Sequence, residues 1–484
     1  TYLAIAALGY RLFYQGLLAY DPRTYDIKPQ LAQRWEQPSQ TEYIFHLQPD
    51  VKWHNKPPAN GRALTVEDIV FSLERARTND PRFFSRSILV SIDKVEAIDK
   101  SRLRITTKGP DATTLSKMSA DLLMVLAPEV VERAGRFATA DAVVGTGAFI
   151  MKSVEEGVGA EYVRNPDYWK PGLPYLDGIR TIHFKDEQAG WAAFLGGQVN
   201  IARVFGAEVK KYIQQQGPAF TPDWFYDNTY VFGQPNTRVK PFDDRRVYRA
   251  LRLFIDHQDM IRTWAEVWFG RGRHGSLFPT ALHQWDLTDE EYEKYHPWKP
   301  AKEEAVREAI ALLNAAGYTR DNPLKFEVIS PTTPFLVSFS EAYQSRWRQA
   351  SQNIVQADLN PIDIAIANQR RGQRQFTYLI HGNVPGTTEP DSWLTEIYHS
   401  GASANFMNFS DPKFDEMIDK QRPIFDLNQR KAAIREIILY YIENGPGSIP
   451  ANRFFLNAVK PNIRGYAPEF HIFGDQYEQI WLDT

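Results

Sequence analysis

The chain reads as an α/β protein, and three observations carry that reading. Segments whose apolar residues recur at every second position alternate with segments whose apolar residues recur at every third or fourth. Proline and glycine punctuate the joins between them. No internal repeat or low-complexity tract interrupts the alternation.

Taken in order, the apolar run at residues 3–18 reads as a helix. Tyr43, Phe45 and Leu47 alternate with Glu42, Ile44, His46 and Gln48, the period of a half-buried strand. Thr65 is placed to cap the next helix, and Asp68, three residues on, completes a capping-box-like start with a shorter acid than usual. Ile69, Val70, Leu73 and Ala76 then share one helical face. Leu103, Ile105 and Thr107 mark a further strand, as do Ile182 and Phe184. Ala305, Val306, Ala309, Ile310, Leu312 and Leu313 form a helical stripe that ends at Gly317, where a left-handed residue belongs. Glu303 and Arg307 add a favourable i,i+4 pair. Residues 376–380 read as a buried strand that runs into a Gly/Pro-rich loop over 381–390.

Bulk properties narrow the function. A chain of 484 residues, 43% apolar, can bury large cores and suggests two to four domains. With 56 basic and 59 acidic residues, nothing marks a nucleic-acid or anionic-membrane binder. The absence of cysteine excludes disulfides, thiolate metal sites and cysteine nucleophiles. No stretch approaches the ~20 apolar residues of a membrane span. The start has neither an initiator Met nor a basic n-region, so it is not read as a signal peptide. No HExxH, GxSxG or GxxxxGK[ST] motif appears. Gly270-Arg-Gly-Arg-His-Gly275 follows a helical stretch and reads as a mobile turn.

A series of short elements in a fixed order carries more. Leu31-Ala-Gln-Arg-Trp-Glu36, Thr41–Asn55 and Leu64–Arg75 open it. Gly145-Thr-Gly-Ala-Phe149, Arg164–Trp169, Leu173–Asp177, Leu195–Asn200, Gln234–Thr237, Pro241–Asp244, Leu277–Pro279, Leu312–Tyr318 and Asn408–Asp415 continue it. Together they resemble the family 5 extracellular solute-binding proteins, receptors that feed oligopeptide, dipeptide, nickel and oligosaccharide ABC importers. The resemblance implies a two-lobe periplasmic-binding-protein fold of the large, cluster-C type, with an extra subdomain in lobe I near residues 40–165. Lobe I would comprise residues 1–232 and 447–484, and lobe II residues 233–446. Hinge closure over a small-molecule or oligomeric solute would be followed by delivery to a permease and its ATPase. The protein would be a monomer in the periplasm or outside the cell, free or lipid-anchored, with no catalytic residues, metal or cofactor. By comparison with the family's usual opening, about 20–30 residues would precede Thr1.

Candidate ligand contacts follow from position at the expected lobe boundary. His381, Asn383, Thr387 and Asn405 would line the cleft from lobe II, with Asn408 a further hydrogen-bonding candidate. Trp393 or Phe406 would form an apolar wall, and Gln15 and Gln234 would face them from lobe I and the hinge. Core packing is the ordinary role of such aromatic residues. Peptide-binding relatives place a carboxylate in this loop, shortly before an acid–Pro step, to pair with the peptide's amino terminus. Here Gly386, Thr387 and Thr388 precede Glu389-Pro390. An ammonium desolvated there without a counter-charge would cost several kcal/mol. The expected ligand is therefore an oligosaccharide or other non-standard solute ahead of a free peptide. Arg370, Arg371 and Arg374 keep an anion open, although a solvated face is their ordinary role. Two other classes stand beside this one. A secreted glycoside hydrolase would need acids such as Asp243-Asp244 or Asp289-Glu290-Glu291 brought together by the fold. A metal-chelate receptor would need His381 and His399 to converge.

Overall fold

The structure is a computed structural model. It describes residues 10–483 apart from 22–23, 25, 79–87, 121–122, 135–138, 185, 205–220, 227–229, 268–271, 276, 296–301, 384–388, 448–451 and 468–474. The chain separates into two compact units, one of Thr1–Tyr226 and Phe455–Thr484, the other of Asp227–Pro385 and Glu389–Phe454.

In unit 1, β1 (Ala32–Ser39), β2 (Glu42–Leu47), β3 (Ile92–Ala97) and β4 (Arg102–Thr107) form an antiparallel sheet in the order β1-β2-β4-β3. The period-two patterns are realised: Tyr43, Phe45 and Leu47, then Leu103, Ile105 and Thr107, face inward. Helix α1 (Val66–Arg77) packs over β3 and β4, burying Ile69, Leu73 and Ala76. Its capping box from Thr65 and Asp68 is present. Asp68 also accepts from Trp53 Nε1 at 3.2 Å and, bidentate, from Arg62 at 2.7 and 2.8 Å. Arg62 reaches on to Glu129 at 2.6 Å. One buried carboxylate thus ties two of the early sequence elements together. A second sheet of β5 (Phe149–Glu155), β6 (Gly159–Arg164) and β7 (Gly178–Ile182) follows, and then β8 (Ile201–Val204).

The helix expected over residues 3–18 is corrected where the structure describes it. Tyr10–Leu12 is a single 3-10 turn, and Leu18–Tyr20 is a strand paired with Ile27–Pro29. Residues 11–20 are all buried. A run buried on every side has no solvent face to set a period, so its apolar composition alone misleads. Its backbone serves neighbouring segments: Gly147 N donates to Phe13 O, Val125 N to Gln15 O and Leu31 N to Gly16 O. Close approach fixes the Gly145-Thr-Gly147 turn against this run. A Cβ at Gly145 would lie 1.7 Å from Phe13 O, and one at Gly147 2.5 Å from Leu12 O.

Unit 2 is built on β9 (Tyr230–Pro235), β10 (Leu324–Pro331), β11 (Val355–Ile362) and β12 (Tyr378–Asn383), in the order β9-β12-β10-β11. β10 runs parallel to both neighbours, whereas β9 is antiparallel to β12. Phe242, Phe326, Trp347 and Tyr378 pack edge to face or tilted at 5.0–5.9 Å on one side of the sheet. Each such pair adds about 0.5–1.5 kcal/mol beyond its buried area. The stripe through Ala305, Ala309 and Leu313 is buried on a helix over Lys302–Ala315, and Gly317 takes φ +91°. The strand expected at 376–380 instead spans Tyr378–Asn383, because β9 pairs with it as far as Asn383. His381 and Asn383 are therefore strand residues and not loop residues. Gly272–Arg273, expected within a mobile turn, is a short strand paired with Arg453 and Asn452; residues 268–271 lie outside the described residues. A Cβ on Gly447 would lie 3.3 Å from Gly233 O, so the two segments expected to cross between lobes are neighbours here. β13 (Asn452–Val459) pairs with β8 in unit 1.

Candidate ligand site on unit 2

Strand register decides which side chains meet. Antiparallel pairing sets Gln234 opposite Leu379 and Phe232 opposite His381, and parallel pairing sets Ile329 beside Leu379. Directly opposed residues share a face, and residues two apart on one strand share it too. Gln234, Phe232, Ile329, Leu379 and His381 therefore lie on one face, opposite the aromatic cluster. Ile329, Leu379 and Phe376 form a small apolar cluster there, with Phe406 packed against it.

Helix α2 (Ile364–Gly372) brings a cation to this face. Asp363 caps it, accepting from Ala365 N and Ile366 N. Its buried positions are Ala367 and Arg371, one turn apart, while Ile364 and Ile366 are each 51% exposed. Arg371 is only 8% exposed. Its guanidinium carbon sits 4.1 Å from the centre of the Phe406 ring, within cation–π range. Its Nη1 lies 3.1 Å from His381 Nδ1 and 3.2 Å from Gly382 O. Arg371 was expected on a solvated face, and the structure corrects that. Arg370 pairs with Glu327 at 2.8 Å. Arg374 donates to Ser403 O.

His381 is neutral near pH 7. Burial, reinforced by the Arg371 cation, pushes its titration down to about 4. Nδ1 is within reach of both Arg371 Nη1 and, at 2.7 Å, Gly382 O. It cannot accept from the first and donate to the second at once. When it accepts from Arg371, the proton resides on Nε2. That atom, like Gln234 Nε2, has no hydrogen-bond partner among the described residues. Gln234 is 1% exposed.

The remaining expected contacts have other duties. Asn405 is buried and clamps its own loop, donating to His399 O at 3.1 Å and Phe409 O at 2.7 Å and accepting from Phe409 N. Asn408, at φ +54°, donates to Asn236 Oδ1, and Asn236 in turn holds Arg374 O and Phe376 O. These bonds fix the loop that presents Phe406. Trp393 is fully buried in a core cluster with Phe232, Leu394, Tyr398 and Ile438. Gln15 lies in unit 1, where its oxygen accepts from Thr146 and Trp169 and its amide donates to Tyr168 OH. Thr387 and the Asn383 side chain lie outside the described residues.

The acids after β12 are also accounted for. Glu389, buried, pairs with buried Arg430 and caps Asp391 N. Asp391 accepts from Gln421 at 2.6 Å and from Arg422 at 3.2 Å. Two of the acids weighed for hydrolysis have structural partners. Asp244 caps the helix over Arg245–Leu253, and Glu291 closes a capping box with Thr288 and pairs with Arg435. His399 faces Asp415 and Asp419, whereas His381 faces Arg371. Among the described residues no group of three or more His, Asp or Glu is placed to hold a metal ion.

Residues 26–405 match the family described as bacterial extracellular solute-binding proteins, family 5 Middle. The chain belongs to this family. Heme-binding protein A of Haemophilus influenzae is 24% identical over 94% of this chain and 84% of its own length. Di/tripeptide-binding protein 2 of Pseudomonas aeruginosa is 24% identical over 94% of this chain and 86% of its own. The crystal structure of Haemophilus influenzae OppA in complex with RPPGFSPFR superposes with a TM-score of 0.83 at 20% identity, covering 98% of this chain and 94% of that one. The fold is thus the α/β periplasmic-binding-protein fold that the sequence elements imply. Family 5 receptors deliver solutes to the permease and ATPase of ABC importers, and these relatives are binding proteins of transport systems, not enzymes. None of the three names an oligosaccharide, so the preference for that ligand gains no support from them. Among the described residues, no helix is long and apolar enough to cross a membrane.

Proposed function

We propose that this family 5 receptor captures a peptide-class solute, and that Gln234, His381, Arg371 and Phe406 contact it on unit 2. One observation carries the assignment of the site. Two buried side-chain nitrogens, Gln234 Nε2 and His381 Nε2, have no hydrogen-bond partner among the described residues and share a sheet face on which a buried guanidinium lies over an aromatic ring. Leaving a buried donor unmet costs about 1–3 kcal/mol, so such groups need a reason, and a bound acceptor supplies one. The relatives named for peptides favour a peptide over a sugar. In this reading the receptor works outside the cytoplasmic membrane as a monomer, free or lipid-anchored. The two passages of the chain between the units act as its hinge. Ligand shifts the protein toward a closed form only as far as it prefers that form.

Native mass spectrometry of the protein as purified tests the ligand class. A retained solute whose fragments step by amino-acid residue masses is the expected result. Steps of hexose mass would overturn the peptide assignment in favour of an oligosaccharide.

A further inference from the structure

The sequence holds two Asn-Gly steps, Asn60-Gly61 and Asn444-Gly445. Such a step is chemically labile, because the glycine carries no side chain to hinder attack by its main-chain nitrogen on the Asn Cγ. The N–Cγ bond forms and the Cγ–Nδ2 bond breaks. The glycine nitrogen's proton departs with Nδ2 as ammonia, and a succinimide ring remains. Water then opens the ring at either carbonyl, giving Asp or an isoaspartyl linkage whose main chain is one carbon longer. In a folded chain the rate depends on what holds the two reacting groups.

At Asn444 both groups are held. It is the last residue of the helix over Leu427–Asn444. Its Nδ2 donates to Tyr440 O at 2.8 Å, and its Oδ1 accepts from Arg245 Nη2. Gly445 N closes the helical ladder onto Tyr441 O at 2.7 Å, and Gly445 O accepts from buried Arg252. Reaction there means leaving the helix end and giving up this set of bonds together.

Asn60 stands differently. A bridge between Lys52 and Ala63, with Trp53 N donating to Arg62 O at 2.9 Å, closes a loop around it. Asn60 and Gly61 take φ +48° and +71°, a left-handed pair that the Asn-Gly step suits best. Asn60 is exposed. Its Nδ2 donates to Pro58 O, two residues back, at 2.9 Å. Gly61 N reaches His54 O at 3.2 Å, the long end of the N–H···O range. The residues that the turn requires are therefore the labile ones.

We propose that Asn60 is a site of spontaneous covalent modification in the folded protein, deamidating through a succinimide closed by Gly61, while the helix end protects Asn444. The consequence falls on unit 1. Arg62, the residue after Gly61, bonds Asp68 and Glu129 through its guanidinium and Trp53 N through its carbonyl. An extra main-chain carbon just before Arg62 displaces that joint, whereas Asp at position 60 leaves the length of the chain unchanged.

The test holds the full-length folded protein in mildly alkaline buffer beside a sample unfolded in urea. Digestion in acid and mass spectrometry read the amide-to-acid mass change at each Asn, and chromatography separates Asp from isoaspartyl peptides. In the folded sample Asn60 should convert about tenfold or more faster than Asn444, which has two further hydrogen bonds to give up. In urea the two should convert at similar rates. Protein aged to isoaspartate at position 60 should melt below fresh protein. Asn60→Asp should melt closer to the parent than the aged protein does, and Asn60→Ser, which cannot form the ring, should neither convert nor lose Tm on ageing. Equal rates at Asn60 and Asn444 in the folded sample, or an Asn60 that converts only in urea, would overturn the assignment. Aged protein with the Tm of fresh protein would overturn the consequence for unit 1.

Discussion

His54 offers a sharp test of how unit 1 is held together. It is fully buried and bridges the Gly145-Thr-Gly147 turn. Nδ1 accepts from Gly145 N at 3.3 Å, and Nε2 donates to Gly147 O at 3.0 Å. Only the neutral ring with its proton on Nε2 satisfies both; a second proton would set Nδ1–H against an amide N–H. An ordinary imidazole titrates near 6.5, and burial pushes this one down to about 4. At about 1.4 kcal/mol per pH unit the difference is about 3 kcal/mol. Between those two values the unfolded chain binds the proton and the folded chain does not. Stability from this residue is therefore full above about pH 7, falls as pH drops through 6.5, and is lost by about 4. His54→Gln should lower stability at pH 8 and flatten the acid slope, so that the difference between the two proteins shrinks by about 3 kcal/mol on going from pH 7.5 to 4. Urea unfolding at a series of pH values measures that difference, in which the other titrating groups cancel. A ring-proton NMR titration of His54 should give a midpoint near 4. A difference independent of pH, or a midpoint near 6.5, would refute the argument.

Other outcomes follow from the same structure. Gly147→Ala places a methyl against backbone and should lower stability by about 1–3 kcal/mol or more, read as a drop in Tm. Arg430→Met leaves Glu389 buried without its partner and should cost about 3–5 kcal/mol; Glu389→Gln in the same chain should recover much of that, and strictly additive effects in a denaturation cycle would count against the pair. Trp393→Ala should cost about 3–5 kcal/mol of stability through the core it fills, with ligand affinity changed only as far as folding is.

The sequence disclosed the fold where an element has one wet face and one dry one. β2 and β4, the capped helix α1 and the Ala305–Leu313 stripe all have that character, so their periods survive in the residue order. It misled where burial is complete or inverted. Residues 11–20, buried throughout, look like an apolar helix and are a turn and a strand. Helix α2 hides Arg371 and exposes Ile364 and Ile366, the reverse of the pattern by which helices are read. That inversion was itself a signal, since an arginine one turn after a small inward alanine, beside a strand, is out of place on a solvated face. Of the expected contacts, Gln234, His381 and Phe406, chosen by position along the chain, lie together on one face of unit 2. Asn405 and Gln15 have internal partners, which composition cannot reveal, because an amide with internal partners and one without look the same in the sequence.

That distinction gives the last prediction. Gln234 is 1% exposed and its Nε2 has no partner among the described residues, so it contributes a desolvated donor there. Gln234→Met keeps the length of the side chain and removes the donor. If the residue serves only the fold, the substitution is neutral or destabilising. If it serves a ligand, the ligand-free variant should be more stable than the parent by up to about 1–3 kcal/mol, the desolvation penalty recovered. For a unit of this size that is a rise in Tm of about 2–4 °C per kcal/mol. Saturating ligand should then raise the parent's Tm more than the variant's, because stabilisation by mass action grows with affinity. Stability conceded in the empty state and regained on binding is the behaviour expected of a group kept for recognition. A ligand-free Gln234→Met protein that melts below its parent would show that the amide has a structural partner, and would remove Gln234 from the site.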